Sequence, residues 1–208
     1  MALLEECARN CKVLLDIGAN CGVETDRLII SPDKSTIYAF EPHNEVYQIL
    51  YNKYKDSPYV NTFNIAIGNT IGISTLQYKN NDLRINKYGG STIVPELFSP
   101  DRLGHDTSTQ MVMTTTIDSL NLNPDYIKID AEGSESNIFI GGKNQIIKNK
   151  PVIIFEYASS GPPENFQPES IDILRSYGYT EFIELETGND FDFRHPCLPI
   201  DILAICEK

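Results

Sequence analysis

Five carboxylates stand where short apolar runs end. Asp16 closes Lys12–Ile17, Glu41 closes Thr36–Glu41, Asp130 closes Tyr126–Asp130 with Glu132 just after it, and Glu156 sits near the end of Val152–Tyr157. Acids placed in this way gather at the carboxyl edge of a parallel sheet. There they can meet a cationic amine, accept hydrogen bonds from two ribose hydroxyls or take a proton from a hydroxyl. Between the first two acids lies a turn, Gly18-Ala19-Asn20-Cys21-Gly22, whose glycines allow close backbone approach and tight helix packing. The pair KVLLDIGANCG and YAFEP, with Glu41 nineteen residues after Gly22, is the layout of a nucleotide-cofactor site.

The type of nucleotide follows from the acids. A dinucleotide rests its pyrophosphate on a helix N-terminus, and the carboxylate of Asp16 directly before the turn would repel it. The turn also reads GANCG rather than G-x-G-x-x-G. S-adenosylmethionine has no phosphate and carries a cationic amine and a sulfonium, so Asp16 becomes an asset and Glu41 a bidentate acceptor for the ribose. A nicotinamide-dependent oxidoreductase is the rival that the turn disfavours.

The elements that position these residues read as alternating strands and helices. Expected strands are Lys12–Ile17, Thr36–Glu41, Val60–Ile67, Tyr126–Asp130, Val152–Tyr157, Thr180–Glu186 and Ile200–Cys206, mostly apolar on both faces as in a sheet covered on both sides. Expected helices are Asn44–Lys55 with Val46, Ile49, Leu50 and Tyr54 on one stripe, Ser134–Asn149 with Ile138, Ile146 and Ile147, and Pro168–Tyr177 ending at Gly178. The pattern predicts an α/β fold, a doubly wound Rossmann-like sheet. Residues 68–110 interrupt it as an insertion. Gly72–Tyr78 reads as an added strand and Asn80–Gln110 as a long polar loop expected to cover the substrate site.

The chain has 208 residues, which suits one domain spanning 1–208 with a single core. Its net charge of −12 argues against a phosphate-backbone partner. No membrane association is expected, since no apolar run reaches about 18 residues. The five cysteines, 7, 11, 21, 197 and 206, show no disulfide or zinc spacing, and no secretory leader is evident, so a cytoplasmic location is expected. Cys21 reads as a small residue filling a tight turn. Only about twelve residues precede the first strand, leaving no N-terminal helix over the cofactor edge. This leads to the expectation of a domain cut from a longer polypeptide, fused to further domains.

Further segments carry a resemblance: NIAIGN at 64–69, TTTIDSL at 114–120, YIKIDAEGSE at 126–135, Gly141–Gly142, VIIFEY at 152–157 and YGY at 177–179. With these, the chain resembles the FkbM family of S-adenosylmethionine-dependent O-methyltransferases from about Val13 to Tyr179. KIDAEGSE is the most specific element. The resemblance implies a seven-stranded class I methyltransferase sheet with an insertion between its third and fourth strands. Its last strand is antiparallel, a place Ile200–Cys206 would fill. It also implies cofactor contacts from Asp16, Gly18, Ala19, Asn20, Gly22, Glu41, Pro42, His43, Ala66 and Asp130, with Asp130 at the methionine end. Ser91-Thr92-Ile93 looks like the short serine motif of that family's insertion, which places Ser91 and Thr92 beside substrate. The departures are the short lead before the first strand and His43, which stands where a smaller residue is common.

The catalytic candidates are Glu132, favoured as base or orienter, then Glu156 and Asp130. Each also has a plainer reading: Asp130–Gly133 as a helix N-terminus with favourable dipole charges, Glu156 as a solvated strand end, Asp16 and Glu41 as structural acids. Lys128 reads as an ion-pair partner inside the sheet edge. His43 lines the ribose or adenine side or simply packs, His105 could close over substrate, and His195 is better read as a loop residue. No metal is expected, because the spacing lacks the ligand set of catechol-type methyltransferases. The acceptor implied is a hydroxyl of a sugar or glycan, with a non-carbohydrate small-molecule hydroxyl as the alternative. A cofactor-binding or assembly domain without turnover is the rival from another class.

Overall fold

The computed structural model describes residues 2–29, 35–79, 91–93, 107–157, 169–192 and 200–206. Its strands are β1 (Val13–Ile17), β2 (Thr36–Phe40), β3 (Val60–Phe63), β4 (Ala66–Ile67), β5 (Gly72–Lys79), β6 (Thr107–Thr115), β7 (Tyr126–Ile129), β8 (Val152–Tyr157), β9 (Glu181–Glu184) and β10 (Ile200–Ile205). The helices are α1 (Ala2–Ala8), α2 (Val23–Leu28), α3 (Asn44–Tyr54), α4 (Ile117–Leu120), α5 (Glu135–Gly141), α6 (Lys143–Asn149) and α7 (Glu169–Ser176).

A seven-stranded sheet runs β3-β2-β1-β7-β8-β10-β9. All of its pairings are parallel except those of β10, which lies antiparallel between β8 and β9. The last strand is therefore antiparallel, as expected. Chain order reverses between β1 and β7, so their carboxyl ends flank a topological switch point, the crevice where open α/β sheets take ligands.

Alternation along the strands sorts the core onto the two faces. Leu15, Ile17, Ile127 and Ile129 pack with Ile138, Phe139, Ile171 and Leu174 of α5 and α7. Leu14, Ile37, Ala39 and Tyr126 pack with Leu28, Leu50 and Tyr54 of α2 and α3. Asp16 is in register with Lys128 and so shares the α2 face with Leu14. A helix, α1, does precede β1, and its Ala8 joins the same cluster.

Several boundaries differ from expectation for local reasons. The run Val60–Ile67 is two strands: β3 pairs with β2, while β4 leaves to pair with β6 in a separate three-stranded sheet, β4-β6-β5. Asn64 lies between them, and its Nδ2 donates to the carbonyls of Glu41 and Pro42 at 2.9 and 3.0 Å. β6 begins at Thr107, inside the expected loop, and pairs along the whole of β5. Its apolar residues are only Met111, Val112 and Met113, set among Thr, Ser and Gln, which is too short a run for a search of apolar segments to find. The Ser134–Asn149 helix is broken at Gly142 into α5 and α6. Ile49 and Ile147 are more than a third exposed. No described helix is long and apolar enough to cross a membrane.

Gly141 fastens α5 to the segment leading into the small sheet. A Cβ there would lie 2.0 Å from the Gly68 carbonyl oxygen and 3.0 Å from Asn69 Cα, both backbone atoms. Gly141→Ala is expected to destabilise the fold by about 1–3 kcal/mol, read as a lower urea midpoint. An unchanged midpoint would show that this close approach is not native.

Candidate active site

The turn after β1 is threaded between two strand ends. Gly18 N–H and Ala19 N–H both donate to the Phe40 carbonyl, at 3.0 and 2.9 Å. Gly18 has φ +77°, and a Cβ on it would fall 1.9 Å from the Asp130 carbonyl oxygen. Only glycine serves there. Gly22, with φ +81°, starts α2 beneath the Tyr54 ring, which a Cβ would meet at 2.7 Å.

Along the edge formed by β1, β2 and β7 lies an open cleft, of the concave kind that takes small molecules. One half is apolar: Phe40, Pro42, Ile65, Ala66, Ile67, Leu76 and Ile93. The other carries Gly18, Asn20, Glu41, Asp130, Ala131, Glu132 and Ser134, with Ser91 also in the wall. Of the expected residues, Gly18, Asn20, Glu41, Pro42, Ala66, Ser91, Asp130 and Glu132 are brought together here.

Glu41 is held firmly. Its Oε2 accepts from Asn20 N–H at 3.0 Å and its Oε1 from His43 N–H at 2.8 Å. Burial pushes its pKa up to about 7, against the lowering effect of those two bonds. Each oxygen keeps a lone pair for a further donor.

Other expected residues lie outside the cleft lining. Asp16 is fully buried, its Oδ2 accepting from Thr25 Oγ1 at 2.5 Å while Oδ1 has no partner. Lys128, itself buried, holds Asp130 Oδ2 at 3.3 Å and faces Asp16 across the register. Burial lowers the Lys128 pKa, yet Asp130 and Asp16 outweigh it and leave the ammonium above its ordinary value. This is the ion-pair role expected of it. Ala19 and Gly22 shape the turn from behind. His43 caps α3, its Nδ1 accepting from Val46 N–H at 3.4 Å, and meets the Tyr78 ring edge-on at 4.3 Å. Thr92 is buried and exchanges backbone hydrogen bonds with Gln77, 2.9 Å each way. His105 and His195 lie outside the described residues.

Beside the cleft, carboxylate oxygens of Asp130, Glu132 and Glu156 lie within 4.8 Å of one another. Burial, then repulsion from Asp130, Glu132, Glu135 and Asp201, pushes Glu156 up to about 8. Such a group can exchange a proton near neutral pH, and its oxygens are also of the kind a hard cation takes. The turn that supplies Glu132 is unusual. Glu132 has φ +48° and Gly133 φ +91°, and Glu135 is buried behind them with its pKa pushed up to about 7 by that burial.

Sequence reasoning missed Ile65, Ile67, Leu76, Ile93 and Ser134 as wall residues. The apolar run of NIAIGN was the available signal for the first two. Ser134 Oγ is buried in the wall without a partner.

A sequence profile of the FkbM methyltransferase domain matches residues 16–181. The chain belongs to the FkbM methyltransferase family. Among solved structures, an FkbM methyltransferase from Methylobacillus flagellatus is similar, with TM-score 0.57 and 17% identity over 93% of this chain and 44% of that one. A precorrin-6y C5,15-methyltransferase from Geobacter metallireducens has TM-score 0.49 and 13% identity, over 99% of this chain and 86% of that one. The chain thus spans less than half the length of its FkbM structural relative. No curated protein sequence matches it.

S-adenosylmethionine is the cofactor of this FkbM domain, and the cleft fits it. The apolar lining suits adenine, Glu41 suits the ribose diol, and the bare backbone at Gly18 beside Asp130 suits the methionine end. With two hydrogen bonds to a charged acceptor lost, Glu41→Ala is expected to weaken S-adenosylhomocysteine by roughly 2–4 kcal/mol in calorimetry. Because Glu41 is ionised only above about pH 7, wild-type affinity should fall as pH drops below that value. Glu41→Gln should flatten the profile, and a profile that is flat in the wild type would remove Glu41 from the ribose contact.

Proposed function

We propose that this FkbM domain catalyses O-methylation, transferring the methyl group of S-adenosylmethionine to a hydroxyl of a sugar or glycan. The observation that carries the reading is the convergence of Asp130, Glu132 and Glu156 where the cofactor cleft meets the carboxyl ends of β7 and β8. Bound S-adenosylmethionine supplies a methyl group already activated on sulfonium. The chain's own part is alignment, worth about 7–11 kcal/mol in favourable cases, and removal of the hydroxyl proton. Glu132, in the cleft wall, accepts that proton. Asp130 is steadied by Lys128, and Glu156 tunes the group by repulsion.

The acceptor class is supported by a second cavity that shares Ile93 with the cofactor cleft. It has about 580 Å³ and is lined by Asn69, Thr70, Ser74, Thr114 and Asn137 with Ile71 and Ile73. Neutral donors and acceptors beside apolar groups match an uncharged polyol, and the net charge of −12 disfavours an anion or a nucleic acid.

The test is S-adenosylhomocysteine release over a panel of sugars, glycans and non-carbohydrate alcohols. Release with carbohydrate alone is expected; release with the other alcohols alone would favour the non-carbohydrate alternative. Tight cofactor binding without release on any acceptor would favour a binding domain. With the acceptor in hand, Glu132→Gln should slow turnover by ~10²–10⁴-fold while leaving cofactor affinity nearly unchanged. Equal losses in both would move Glu132 into the cofactor shell.

A further inference from the structure

The turn between β7 and α5 holds a residue that the transfer chemistry leaves without a task. Glu135 is 4% exposed, and a carboxylate is costly to bury unless its oxygens are engaged. Its Oε1 accepts from Ala131 N–H at 3.2 Å and from Gly133 N–H at 3.3 Å. Those two amides flank Glu132 on either side. Glu132 itself stands at φ +48°, a left-handed conformation that side chains other than glycine enter only when the surroundings enforce it. Gly133, at φ +91°, completes the reversal.

We propose that Glu135 is a positioning residue: its buried carboxylate clamps the amides of Ala131 and Gly133 and so holds Glu132 in the left-handed turn that brings it together with Asp130 and Glu156. The clamp acts on backbone, so it does not touch cofactor or acceptor. A single oxygen receives both amides, so a carboxamide oxygen in the same place can do the same work without charge. The value of the clamp to catalysis rests on the O-methyltransferase reading, but its existence does not.

The test follows amide exchange at residues 131 and 133 in the protein bound to S-adenosylhomocysteine, together with the crystal structure of each variant. Glu135→Ala should speed exchange at both amides by ~10–100-fold, as expected for losing a charged acceptor. Glu132 should leave the left-handed region and its carboxylate should separate from Glu156. Glu135→Gln should restore both readouts to near wild type. Ser136→Ala is the control for simple loosening, because Ser136 Oγ lies 2.8 Å from Ser170 Oγ in the buried contact of α5 with α7; it should leave residues 131 and 133 alone. The proposal is overturned if Glu135→Ala leaves exchange unchanged, if it matches Ser136→Ala, or if Glu132 keeps its conformation. None of these readouts needs an acceptor, so failure of the methyl-transfer reading would appear separately, in the release assay.

Discussion

The cleft depends on one close approach, that of the Gly18 backbone to the Asp130 carbonyl at the switch point of the sheet. A side chain on Gly18 would overlap that oxygen at 1.9 Å, so the turn can pass between the ends of β2 and β7 only as bare backbone. Once it passes there, Asn20 N–H reaches Glu41, and Asp130 and Glu132 stand across the gap. Three strand ends become one wall, backed by Ile17, Phe40 and Ile129 in a common core.

Charge is distributed around that approach in two layers. Beneath it, on the α2 face, Lys128 is buried in register with Asp16 and 3.3 Å from Asp130 Oδ2, and the attraction of these acids raises its pKa against the lowering effect of burial. Above it, burial and then repulsion from Asp130, Glu132, Glu135 and Asp201 drive Glu156 up to about 8. A site with surplus negative charge favours a cationic cofactor and is well suited to taking up a proton.

The two ends of the cleft were unequally legible. KVLLDIGANCG, YAFEP and YIKIDAEGSE announce buried strands closed by turns, and the turn residues carry their backbone demands in their identity, as Gly18 and Gly22 do. The apolar wall of the cleft was harder to see, because Ile65, Leu76 and Ile93 come from three segments that meet only in the folded chain. β6 escaped notice because its only apolar run is Met111–Met113, three residues set among Thr, Ser and Gln. Glu135 was visible as part of the motif, but its task depends on the left-handed turn at Glu132, which no side-chain pattern reports.

By itself, then, the sequence determined the strand–turn–helix grammar, the glycines that the crowded turn requires, the family and the cofactor. These follow from local backbone sterics and from runs of apolar residues, which act over a few positions. Tertiary structure alone decided which acids reach the cleft. Period-two alternation sent Asp16 to the α2 face, the cap of α3 claimed His43, and β8 set Glu156 beside rather than within the cofactor wall. Those outcomes depend on register and packing between distant segments, and a carboxylate's neighbours, not its position in the chain, fix its charge and its use.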